Sequence, residues 1–264
     1  MWEDRSSPAP GDRASEALAG GSDETLAKSV MGKQQLALVV LLSATLLSAC
    51  NASINDDIRV SAGKNGKLGG ATLNGDVLVD KDAVVPDGDF STVNGNIRIE
   101  ERAQVKSVTT VNGNIVLAPE AQTSKVQTVN GRFELGSKAR VNGSVRLVNG
   151  NVSLSPGSEV GGSVETVNGE IAAQGATIDG DVANYSGGML ITDESIVKGS
   201  LTVHEPEEVG NEKPPRIVIG PHSKVIGPLK FERSVELYVH ETAETGPIDG
   251  AEPIRYSGAL PEKT

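Results

Sequence analysis

Aromatic side chains are scarce: the 264 residues include three Phe, three Tyr and one Trp. A core must therefore come from Val, Ile, Leu and Ala, which favours a repetitive fold over an ordinary globule. Basic residues are also in deficit, 24 Lys and Arg against 35 Asp and Glu, for a net charge of -11. The acidic excess repels phosphate backbones and the missing aromatics remove stacking platforms, so no nucleic-acid partner is expected. The single cysteine, Cys50, excludes an intramolecular disulfide and a multi-thiolate metal site. Histidines number three, and aligning Gly199, Gly227 and Gly246 places His204 opposite Glu232 rather than His222, with His240 at another corner. No shared metal site and no cofactor are expected. Only one long apolar run is present, Leu36 to Leu47, shorter than the roughly 20 residues of a membrane span.

That run tells where the chain goes. Residues 31–50 read MGKQQLALVVLLSATLLSAC, a short start with Lys33, an apolar stretch and small residues, the pattern of a secretory signal peptide over 31–49. Its end, Leu47-Ser48-Ala49-Cys50, resembles the lipobox of bacterial lipoproteins. The resemblance implies cleavage before Cys50 and acyl chains on its sulfur and amino group, a stable membrane anchor when more than one chain is present. Asn51, in place of an aspartate after the cysteine, points by the same resemblance to the outer membrane. Residues 1–30 are polar and precede a complete signal peptide, so we expect a leader from a misplaced start, with Met31 the true one. Residues 50–264 carry 20 basic and 29 acidic side chains, net -9.

Past the anchor the sequence repeats. TVNGNIRIEE from Thr92, TVNGNIVLAP from Thr110, TVNGRFELGS from Thr128, LVNGNVSLSP from Leu147 and TVNGEIAAQG from Thr166 align without gaps. Their asparagines, Asn94, Asn112, Asn130, Asn149 and Asn168, are spaced 18, 18, 19 and 19 residues, with degenerate copies at Asn74 and Ser186. Apolar residues fall three and five places after each asparagine (Ile97 and Ile99, Phe133 and Leu135) and four places before it (Phe90, Val108, Val126, Val145, Val164, Val182). A small residue follows nine places on, as at Ala103, Ala121, Ala139 and Ser158. Alternation of this kind marks short strands, and a unit this short has no room for a crossover helix. The expected fold is all-β, a single-stranded parallel β-helix of about 18–19 residues per coil; the uneven steps favour the right-handed form. The five asparagines are expected to form a ladder inside the corners, each followed by a Gly that supplies positive φ. Thr92, Thr110, Thr128 and Thr166 are expected to form a partial outward row, broken at Leu147 and Asn184, that serves as a structural ladder rather than a binding face.

These VNG-type coils, with the steps Gly143-Ser144-Val145, Gly162-Ser163-Val164 and Gly199-Ser200-Leu201, resemble the bacterial polymer-forming β-helix proteins called bactofilins and adhesin-type β-solenoids. The resemblance covers residues 68–204 well and 217–250 loosely, and implies scaffolding or self-association without catalysis. The organisation expected is a linker over 50–66, the β-helix over 67–250 with an insertion at 204–216, and a tail over 251–264. Pro247, Pro253 and Pro261 are expected to stop the ladder in that tail and block a head-to-tail filament. The insertion HEPEEVGNEKPPR carries Glu205, Glu207, Glu208 and Glu212 and is the candidate binding loop. Asp76, Asp80, Asp82, Asp87 and Asp89 crowd the first coil and are expected to be solvated acids rather than a carboxylate pair or a calcium site. The sequence thus reads as a non-catalytic envelope lipoprotein whose partners are the membrane and an envelope protein or polysaccharide. A surface adhesin or glycan-binding module is the alternative, and a carbohydrate-active enzyme the third reading.

Overall fold

A computed structural model describes residues 52–63, 69–206 and 213–258, which belong to one compact unit. Every regular element among them is a strand, and every strand pairing is parallel. Each coil passes three ladders. The coil through Phe133 shows the order: Phe133–Leu135, then Arg140–Val141, then Val145–Asn149, each in register with the equivalent strand one coil earlier and one coil later. The first ladder is an eleven-stranded sheet and the other two join in an eighteen-stranded one. The chain is a β-solenoid.

Period-two alternation sets what points inward. Phe90, Val108, Val126, Val145, Val164 and Val182 stack as one buried column, and Ile97, Ile115, Phe133, Val152 and Ile171 as another. The small residues after the first ladder, Ala83, Ala103, Ala121, Ala139 and Ser158, are fully buried because the chain turns tightly over them. In each such corner the N–H of the small residue donates to a carbonyl three residues back, as Ala121 to Ala118 at 3.1 Å and Ser158 to Ser155 at 3.1 Å. The residue before it is left-handed: Asp82, Arg102, Glu120, Lys138, Gly157 and Glu194 all have φ between 59° and 74°. A side chain other than Gly is strained there, and Pro119 and Pro156 pre-set the preceding position of the turn. Glu120→Gly is therefore expected to stabilise the fold by up to about 1 kcal/mol, net of glycine's greater unfolded freedom, as a higher urea midpoint.

Both ends of the ladder lie outside the expected limits. Ala52–Ser53 and Ile58–Val60 pair in register with Ala71–Thr72 and Val77–Val79, so the first coil occupies the segment expected to be a linker. At the other end Ile248–Asp249 and Ile254–Tyr256 extend the sheets past Pro247 and into the expected tail. Proline does not stop them because Pro247 and Pro253 stand just before the strands, where no ladder N–H is needed. Pro247 still offers its carbonyl to Leu229 N–H at 2.8 Å.

Candidate functional site

The TVNG corner is the most regular surface of the solenoid, and its four residues face in ways that the side-chain types alone do not suggest. Since Val126 points inward, parity puts Thr128 inward and Val129 outward. Thr92, Thr110, Thr128 and Thr166 are buried, at 0–1% exposure, which corrects the expected outward row. Their hydroxyls find partners in the glycine carbonyls of the preceding coil: Thr92 to Gly75 at 2.9 Å, Thr110 to Gly95 at 3.0 Å and Thr166 to Gly150 at 3.2 Å. Where the threonine is replaced by Asn184, the amide Nδ2 donates to Gly169 O at 2.7 Å instead.

The glycine itself is required by stacking rather than by φ. A Cβ on Gly95, Gly113, Gly131, Gly150, Gly169 or Gly187 would lie 1.8–2.0 Å from the carbonyl oxygen of the glycine one coil earlier. Gly95, Gly113 and Gly131 are not in the left-handed region at all.

The asparagines stand on the outside of this corner, exposed rather than enclosed. Nδ2 of Asn94 donates to Asn74 Oδ1, Asn112 to Asn94, Asn130 to Asn112 and Asn149 to Asn130 at 2.9 Å each, and Asn168 to Asn149 at 2.8 Å. Asn74 continues the series to Asn55 at 3.0 Å. A second series, two residues on, uses side-chain oxygens to accept backbone N–H groups of the next coil: Asp76 from Asn96 at 2.6 Å, Asn96 from Asn114 at 3.0 Å, Asn114 from Arg132 at 2.9 Å and Asn151 from Glu170 at 2.9 Å. The recurring N-G-N spacing carried that signal, and reading only its first asparagine missed it. Between the buried threonines and the amides runs an outward apolar row in which Leu73 is exposed, Val93, Val111, Val148 and Val167 are partly buried and Val129 is buried.

This row ends at Tyr185 and His204, whose rings stack at 4.7 Å, with His204 Nδ1 3.0 Å from Glu232 Oε2. The strand register places His204 opposite Glu232, as the glycine alignment required. The insertion leaves the solenoid here, replacing the corner that residues 185–188 form one coil earlier. Of its glutamates, Glu205 donates its N–H to Glu232 Oε2 at 3.4 Å, while Glu207, Glu208 and Glu212 lie outside the described residues, as does Cys50. Beyond the insertion Arg216 sits over the Tyr238 ring at 4.8 Å. His222 occupies a left-handed corner and His240 meets Tyr256 edge-on at 5.0 Å, so the three histidines are at three different places.

The acids from Asp76 to Asp89 lie one coil later than expected and are spread over separate cross-coil partners. Asp80 pairs with Arg59 at 3.1 Å and Asp82 with Arg102 at 2.7 Å, while Asp89 meets Lys106 at 2.8 Å and the Ser107 hydroxyl. Among the described residues no group of three or more His, Cys, Asp or Glu side chains is placed to hold a metal ion.

In the Gly-Ser column, Asp181 Oδ1 accepts both the backbone N–H of Ser200 at 2.7 Å and its hydroxyl at 2.8 Å. Those two bonds, the backbone one first, hold its carboxyl below the ordinary aspartate value of 3.8. A carboxylate favoured in the folded state contributes stability above its unfolded pKa and loses it as pH falls through the folded one. The solenoid should therefore lose stability in acid below about pH 4. Asp181→Asn, which keeps an acceptor and does not titrate, is expected to shrink the fall in urea midpoint between pH 6 and pH 3; an unchanged fall would assign the acid sensitivity elsewhere. Comparison of the chain with protein-family models, curated proteins and solved structures gives no match.

Proposed function

We propose that the chain is a non-catalytic outer-membrane lipoprotein, held by acyl chains on Cys50, whose solenoid is a structural or interaction module for an envelope protein or polysaccharide. The observation that supports it most is how the polar repeat residues are spent. Asn55 to Asn168 bond one another, and the acids Asp80, Asp82 and Asp89 bond basic side chains of neighbouring coils. These groups hold coils together and leave a regular strip of amides beside partly buried valines as the contact surface. Bactofilin-like and adhesin-like solenoids, which the repeats resemble, fit such a passive role, with self-association as one form of it.

Glycan binding is the second reading, favoured by the apolar row lying beside amides and ending on the Tyr185–His204 stack. Each ladder amide retains one N–H and one lone pair for a hydroxyl. Sedimentation of the purified chain with isolated envelope polysaccharide, combined with an assay for new reducing ends, tests both. Binding without release, abolished in Val111→Glu/Val148→Glu, would select the glycan reading. Released reducing ends would overturn the non-catalytic one.

A further inference from the structure

The outward apolar row is most exposed at its first two positions. Ile54 is 67% and Leu73 44% exposed, whereas Val129, midway along, is 8% exposed. Ile54 and Leu73 are neighbours on consecutive coils: Ser53 is in register with Thr72, and Asn74 N–H donates to Ile54 O at 2.9 Å. Exposed large apolar side chains side by side on a soluble surface call for a partner.

Chain length says which. Ile54 lies four residues after Cys50, so its Cα is within about 14 Å of that of the cysteine whatever path the link takes. We propose that Ile54 and Leu73 form a membrane-contact surface that seats the first coils of the solenoid against the bilayer; the inference rests on Cys50 being the lipidated anchor. The contact is shallow. The N–H and C=O groups along the outer edge of Ala52–Ser53 and Ile58–Val60, which pair with no further strand among the described residues, must keep polar partners, so only the side chains enter the hydrocarbon boundary. Exposed Asp56, Asp57 and Asp76 on the same corner oppose anionic headgroups, so the attraction is apolar and zwitterionic lipid suffices. Two side chains would not hold a free protein on a membrane. Tethering makes the contact intramolecular, and a weak interaction is then populated through its effective concentration. Seated this way, the solenoid has its first coils fixed at the membrane and its later coils, with Tyr185, His204 and the insertion, displaced along the ladder.

The sequence supplies a clean reporter, since its only tryptophan is Trp2. The acylated chain that begins at Cys50, which cleavage leaves without Trp2, is made with Leu73→Trp and reconstituted into phosphatidylcholine vesicles with and without brominated acyl chains. Ile226→Trp, at a position 61% exposed on a distant coil, is the comparison. Fluorescence of the Leu73→Trp chain is expected to be quenched at least twofold more strongly than that of the Ile226→Trp chain, and adding Ile54→Asp should reduce the difference. Ile54→Trp serves as a second reporter at the same surface. Equal quenching at both positions in chains that float with the vesicles and carry acyl label overturns the seating and leaves the anchor. A chain without label that does not float overturns the anchor, and the seating with it.

Discussion

Gly113→Ala is expected to destabilise the solenoid by roughly 3–5 kcal/mol, the range reserved for changes that break a packed feature. The added Cβ would sit 1.9 Å from Gly95 O, with Gly95 C at 2.6 Å. Both are backbone atoms, so relief requires two coils to separate and their ladder bonds to stretch. The substitution also distinguishes the two explanations for this glycine. If positive φ were the requirement, Gly113→Asn would be tolerated. Under the stacking account asparagine is no better than alanine. Urea unfolding of both variants decides between them, and the wild-type midpoint retained by Gly113→Asn would refute stacking.

Phe133→Ala is the other large effect, at about 3–5 kcal/mol. Phe133 is fully buried and in register with Ile115 below and Val152 above, so truncation opens a cavity against both coils. In a solenoid each coil contacts only its neighbours, and a weak central coil uncouples the two halves. Besides a lower midpoint, amide exchange should rise first in coils adjoining residue 133. Exposed Arg132, one residue away, should change stability by less than about 0.5 kcal/mol when replaced by Ala. Equal losses at the two positions would mean that the inner column is not what holds the coils together.

Much of the architecture was legible because the period is written in the side chains. The inward columns through Val126 and Phe133 follow from alternation, and the glycine alignment found the His204–Glu232 pairing across the insertion at 204–216. What was misread lay between coils. Thr128 is expected in an outward row, although its parity with Val126 already places it inward. The hydroxyl tolerates burial because the stacked glycine leaves a carbonyl within reach, a partner that exists only once two coils are superposed.

The same superposition explains the glycine, and also why the first coil escaped notice. Asn55 is followed by Ile58 and Val60, the same three- and five-residue offsets as Ile97 and Ile99 after Asn94, but Asp56 stands where the repeat has glycine. Among the described residues no coil precedes it, so no carbonyl excludes a side chain at position 56. The missing motif thus fits its place as the first of the described coils. Across the candidate site, the ladder residues were nameable and their outward position was not, since the corner turns the asparagine out of the parity its strand would impose.

The claim on which the functional account rests is attachment through Cys50, and metabolic acyl labelling with membrane fractionation tests it most directly. The account predicts a labelled, shortened chain in the outer-membrane fraction and, for Cys50→Ala, an unlabelled precursor that is not cleaved. Acyl label retained by Cys50→Ala, or a wild-type chain without label, would contradict it.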